Sequence, residues 1–181
     1  MPSPRRRPAR PARRPEAMLA RLFPHQFDNR FEGHRAALWL LAVLVGLKLI
    51  VSVNSIVNTE AVARGADGFP LASYGGDGAR AVLMLFALGA VANLALGLVG
   101  LAALVRYRAM VPFVLLLALV DHAGRRLVVQ AYAIERADAA PAAFAINLTV
   151  LALLVAGLAL SLWPRARGGR GQGPGRSRLR H

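Results

Sequence analysis

The sequence predicts an all-α fold: a polytopic membrane protein arranged as an up-and-down four-helix transmembrane bundle, with its N- and C-termini cytoplasmic. Three observations lead there. The 181 residues are 56% hydrophobic and 18% charged yet carry a formal net charge of +14, so apolar and basic residues must be segregated along the chain. Four apolar runs are each long enough to cross roughly 30 Å of hydrocarbon at about 1.5 Å per residue. The basic residues gather on one alternating set of flanks, which fixes orientation. A soluble nucleic-acid binder of similar charge would interleave Arg with aromatics and would not carry these runs.

Residues Met1 to Pro15 (MPSPRRRPARPARRP) contain six Arg and five Pro and nothing to bury, so residues 1–17 are expected to be a disordered Arg/Pro-rich tail. The next long apolar run begins only at Ala36, which argues against a cleaved signal peptide. Met18 opens a more structured stretch and is an alternative translation start. Between residues 18 and 35, Leu19, Leu22 and Phe23 share a helical face, Pro24 interrupts, and Phe27, Phe31 and Leu38 continue the apolar spacing. This reads as an interfacial amphipathic segment on the bilayer surface.

Residues 36–163 form the expected transmembrane domain, with spans at Ala36 to Asn58, Ala81 to Val105, Ala109 to Ile134 and Ala142 to Trp163. Arg106, Tyr107 and Arg108 alone separate spans two and three, which forces an antiparallel hairpin, and short loops favour consecutive helices as neighbours. The first loop, Thr59 to Arg80, holds the turn residues GADGFP and GGDG and is read as a flexible outer loop. Residues 164–181 return to Arg and Gly as a second disordered tail. The N-terminal 35 residues hold nine Arg, the second loop two and the tail six, whereas the first and third loops hold Arg64, Arg80 and Arg136 against five acidic residues. The positive-inside rule therefore places both termini and the Arg106 turn in the cytoplasm.

Charged groups at membrane depth cost about 2.5 to 3.5 kcal/mol each on insertion scales, so the few inside spans are the most informative residues. Lys48 lies near the middle of span one, with Ser52 and Ser55 on its face and Asn54 and Asn58 on a flank. Asp121 falls at the same depth in span three, followed by His122, Arg125 and Arg126. Spans one and three run in the same direction, so a Lys48–Asp121 ion pair is geometrically possible. Asn93 in span two is flanked by Gly89 and Gly97, with Gly100 nearby, and span four contributes Asn147 and Thr149. Small residues at this spacing let helices approach, and an amide in such a seam tends to hydrogen-bond across it.

The set Lys48, Ser52, Asn54, Asn93, Asp121, His122, Arg125, Arg126 and Asn147 thus forms a candidate intramembrane polar cluster. Three readings stay open: polar glue fixing helix register, a binding site on Asp121, His122 and Arg125, or outward snorkelling of Arg125 and Arg126. Anionic-lipid contact is expected from Arg5, Arg6, Arg7, Arg13, Arg14, Arg106, Arg108, Arg165 and Arg167.

No metal ligation is expected: His25, Asp28, Glu32 and His34 repeat no known ligand spacing. The GGDG run lacks both the alternating acids of a calcium loop and the GK[ST] ending of a phosphate loop. With no cysteine, disulfide and thiolate chemistry are excluded. No nucleophile elbow, HExxH helix or dinucleotide fingerprint occurs, so no enzyme activity and no cofactor is expected. Arg outnumbers Lys 22 to 1 amid abundant Ala, Gly and Pro, a usage pointing to a GC-rich bacterial genome and an inner-membrane location.

The runs LFPHQFDNRFEGHRAALW, VRYRAMVPF and DHAGRR resemble a group of small, uncharacterised bacterial inner-membrane proteins with four predicted transmembrane helices. The resemblance covers Leu22 to Trp163 and implies the topology but no activity. The expected role is a non-enzymatic accessory, assembly or structural membrane subunit; the alternative is a small homo-oligomeric transporter or sensor using the Asp121, His122 and Arg125 cluster. Expected partners are the anionic bilayer and a possible second copy or larger membrane complex, with no nucleic acid.

Overall fold

The computed structural model describes residues 14–24, 26, 28–65, 68–132 and 141–163, and all of its regular structure is helical. Residues 1–13 of the tail expected over 1–17, the tail expected over 164–181, and residues 133–140 around the third loop lie outside the described residues, whereas residues 14–17 are helical.

Helix α1 spans Arg14–Leu22, α2 Arg35–Val57, α3 Thr59–Gly65, α4 Gly76–Val105, α5 Val111–Ala131 and α6 Pro141–Leu162. Helices α2, α4 and α6 are long and apolar enough to cross a membrane. By length α5 matches them, but Asp121, Arg125 and Arg126 break its apolar character.

Local chemistry sets most of the boundaries. His34 caps α2, its Nδ1 accepting from the Ala36 N–H at 3.2 Å. Pro112, in the first turn of α5, loses no helical hydrogen bond there. The α4–α5 connection turns in a single 3-10 turn, Arg108–Met110, with the Arg106 N–H closing on the Ala102 carbonyl at 2.9 Å.

The first loop differs from expectation. It contains α3 and a 3-10 turn at Leu71–Ser73, and GGDG is no loop: Gly76, Asp77 and Gly78 form the first turn of α4 behind an N-cap at Gly75. Asp77 there sits at the positive end of the helix dipole, which offsets the weak propensity of glycine. Gly68, at φ 65°, supplies the left-handed turn that returns Phe69 to α3, where its N–H reaches the Ala63 carbonyl at 3.0 Å.

Helix α2 packs against α4 on one side and α6 on the other, α5 packs against α6, and a lighter contact joins α5 to α4. Helices α2 and α5 therefore lie diagonally opposite. Along the α2–α4 seam the glycines permit close approach. A Cβ on Gly97 would stand 2.8 Å from Leu49 Cδ2, and one on Gly100 2.5 Å from Val45 Cγ2.

The core joins Leu41, Leu44 and Val45 of α2, Ala103 of α4, Val111, Val114 and Leu115 of α5 and Leu154 of α6. Beyond Leu115 no residue of α5 is buried, and none of the described α6 side chains before Leu154 is. Helices α5 and α6 thus close tightly at the end bearing the Arg106 turn and part toward the other, while Ser52 and Ser55 of α2 and Ala90 of α4 stay buried beyond that level. Trp39, Ile50, Val57, Leu85, Leu127 and Trp163 point outward, an apolar outer surface of the kind that lipid accommodates and water does not.

The segment before α2 folds back onto the closed end. The Ala109 N–H reaches the Asp28 carbonyl at 3.2 Å, and the His34 N–H reaches the Leu160 carbonyl at 3.0 Å. Arg21 donates to the Leu162 carbonyl at 3.0 Å and pairs with Glu32 at 3.5 Å, satisfying an orphan carbonyl at the end of α6. Gly33 lies so close to the backbone of Ser161 that no side chain fits between them.

Candidate functional site

Helical periodicity puts Lys48, Ser52 and Ser55 on one face of α2. That face looks across the diagonal at Asp121, His122 and Arg125 of α5. Lys48 Nζ donates to Asp121 Oδ2 at 2.8 Å, and Arg125 Nε, one turn further along α5, donates to Asp121 Oδ1 at 2.9 Å. One carboxylate thus accepts from two cations through different oxygens, and the triad keeps one surplus positive charge. The Lys48 and Asp121 side chains are each 23% exposed and Arg125 48%, so its guanidinium forms the outer edge of the cluster.

Two further contacts place the triad among the other helices. His122 Nε2 donates to the Asn147 carbonyl of α6 at 3.2 Å, since a carbonyl can only accept. The Arg125 guanidinium passes over α4 at Gly89, where a Cβ would lie 3.9 Å away.

Between these helices lies a cavity of about 490 Å³. Its polar wall is Lys48, Ser52, Ser55, Asn93, Asp121, His122, Arg125 and Asn147; its apolar floor includes Leu41, Leu44, Val45, Val114, Ala118 and Leu154. The floor coincides with the closed part of the core and the polar wall with the level where the helices part. Ser52 is 2% exposed, and its hydroxyl has no hydrogen-bond partner. A buried serine on a helix ordinarily returns its proton to the carbonyl four residues back, so an unpartnered hydroxyl at this wall is unusual.

No family model, curated protein or solved structure matches the chain. The site's chemistry therefore has to be read from its own residues.

Of the nine residues anticipated as a polar cluster, seven line this one cavity. Asn54 does not: it is exposed and accepts from the Asn58 amide at 2.8 Å, closing off the end of α2. Arg126 does not line the cavity. Asn93 lines the cavity one turn beyond the tight Gly97 contact, because the seam closes at Gly97 and Gly100 and has opened by its level.

Among the residues weighed as metal ligands, Asp28 accepts from the Arg30 N–H at 3.1 Å, Glu32 pairs with Arg21 and His34 caps α2; His25 lies outside the described residues. Of the arginines assigned to lipid contact, Arg106 and Arg108 are exposed at the turn, with Arg108 Nε donating to the Leu104 carbonyl at 3.1 Å. Arg5, Arg6, Arg7, Arg13, Arg165 and Arg167 lie outside the described residues, and of Arg14 only the backbone is described.

Sequence reasoning put Ser55 on the Lys48 face but left it out of the nine-residue set, and it missed Gly89 as part of the wall. Ser55 carried a signal, standing seven residues beyond Lys48, whereas Gly89 shows its role only once Arg125 is placed over it.

Proposed function

We propose that the chain is a non-enzymatic integral membrane protein, an accessory or structural subunit of a bacterial inner membrane. It crosses the bilayer four times as an up-and-down bundle of α2, α4, α5 and α6, with both termini cytoplasmic. One observation carries this reading: Asp121 takes both Lys48 and Arg125. The one carboxylate of the most polar long helix is thereby paired through both oxygens at mid-depth, which lowers the cost of a fourth span. The exposed Arg106 and Arg108 mark the hairpin turn as cytoplasmic by the positive-inside rule and are placed to meet anionic headgroups.

The number of spans has a sharp consequence. Four crossings leave the termini on the same side, whereas three would separate them. Because the chain contains no cysteine, single cysteines at the N-terminus, Tyr107, Ser73 and the C-terminus can be introduced into a silent background. Membrane-impermeant thiol labelling of intact cells should modify Ser73→Cys alone. Labelling of the C-terminal cysteine from outside would remove α5 from the membrane and overturn the reading.

The cavity beside His122 and Arg125 favours a second reading, a homo-oligomeric transporter or sensor. A single bundle of four helices offers little room for a water path, so this version needs a second copy. Proteoliposomes that conduct neither protons nor anions, with His122→Ala silent in cells, would dismiss it.

A further inference from the structure

The Lys48–Asp121–Arg125 triad accounts for how α5 is held, but not for the space beside it. A cavity of about 490 Å³ is in the range of small-molecule pockets and larger than a packing defect. Its wall is rich in donors and poor in acceptors. Lys48 brings three N–H groups, Arg125 five, Asn93 two and Ser52 a hydroxyl. Against them stand one carboxylate, Asp121, each of whose oxygens already accepts a charged donor, and only the neutral oxygens of Asn93, Asn147, Ser52 and Ser55. The Ser52 hydroxyl, closed off behind the same wall, also lacks an acceptor. At this depth neither lipid tails nor bulk water would supply one. Below the wall the floor is entirely apolar, formed by Leu41, Val45, Val114, Ala118 and Leu154 among others.

We propose that the cavity binds an anionic amphiphile, a carboxylate or phosphate head joined to a single apolar body. The head is held by Lys48 and Arg125, while the body lies against the floor toward the Arg106 end. The inference rests on the membrane reading above, which places these donors where water cannot satisfy them. The surplus positive charge selects an anion, and the joined polar wall and apolar floor select a head with a tail. The acidic head is shared by a membrane lipid and by a free fatty acid, so the source is a matter for experiment.

The test uses the full-length protein in nanodiscs of zwitterionic lipid, titrated with dodecanoate, with dodecyltrimethylammonium of the same chain length, and with acetate. Dodecanoate should bind saturably, one per chain, and neither the cation nor the tailless anion should. Arg125→Gln keeps the Lys48–Asp121 pair and should weaken dodecanoate roughly tenfold or more, the loss of one charge-assisted hydrogen bond. Ala118→Phe fills the floor without touching the triad and should abolish binding. Repeating the titration in nanodiscs containing phosphatidylglycerol separates the sources. Competition there assigns the site to a bilayer lipid, and unchanged affinity assigns it to the free amphiphile. Equal binding of cation and anion, or wild-type affinity in both variants, overturns the proposal. Protein that enters nanodiscs with full helicity yet binds no dodecanoate overturns the pocket alone. Failure to enter them overturns the membrane reading instead.

Discussion

Replacing Asp121 by Asn removes one charge and almost no volume, which makes it the cleanest probe of the triad. In the native protein the carboxylate accepts Lys48 at 2.8 Å and Arg125 at 2.9 Å. Charge-assisted hydrogen bonds contribute about 1.5–3 kcal/mol each, and deleting one partner of a fully buried pair costs about 3–5 kcal/mol. The full figure does not apply here, because Arg125 is nearly half exposed at the edge and polar contacts inside membrane proteins average only about 0.6 kcal/mol. The Lys48 bond, with both partners about three-quarters covered, should dominate, giving a net loss of about 2 kcal/mol. Lys48→Met removes the cation instead and leaves Asp121 with Arg125, so it should cost less. The double variant should be more stable than the two single losses predict, by about 1–2 kcal/mol of coupling. Unfolding in mixed micelles by SDS titration, followed by helicity and by Trp39 and Trp163 fluorescence, supplies all four corners of the cycle. Strict additivity would show that Lys48 and Asp121 do not interact and would remove the argument for α5 as a span.

Other perturbations separate packing from polarity. Gly100→Ala sets a methyl against Val45 Cγ2 on a stiff β-branched side chain, so the α2–α4 seam must widen at a cost of about 1–3 kcal/mol; the same SDS titration measures it. Gly33→Ala pushes the N-terminal segment off the Ser161 backbone and should speed tryptic cleavage at Arg21 and Arg30 without changing total helicity. Ser52→Ala removes a hydroxyl that has no partner, so stability should hold within about 0.5 kcal/mol or rise slightly; a loss above 1 kcal/mol would mean that the hydroxyl is bonded after all.

Much of this fold is legible in the chain because lipid-spanning helices are written as long apolar runs. Helices α2 and α6 begin and end within one or two residues of where composition places them, and the Arg106 turn leaves no room for another connection. The start of α4 was not legible: glycine-rich GGDG has turn chemistry, and only its context, capped at Gly75 with Asp77 in the first turn, makes it helical. Within the site, Lys48 and Asp121 could be paired by counting residues from the starts of their two apolar runs, since rise per residue is fixed by geometry. The cavity could not, because it arises from the divergence of the helices beyond Leu115 and Leu154, which depends on crossing angles that no local pattern records. Nor could the docking of residues 21–34, since its bonds go mainly to backbone carbonyls that every residue possesses.

That docking bears on how the protein is made. Arg21 finds its acceptor at Leu162, 141 residues further along the chain, and His34 finds one at Leu160. A ribosome delivering about 5–20 residues per second leaves these donors waiting for several seconds, until the last helix has emerged. The segment holding Arg21 and His34 is thus made before α6 yet settles only after α6 has reached its place. Truncation before α6 would remove both acceptors together, exposing Arg21 and its neighbours to proteases that the finished molecule excludes.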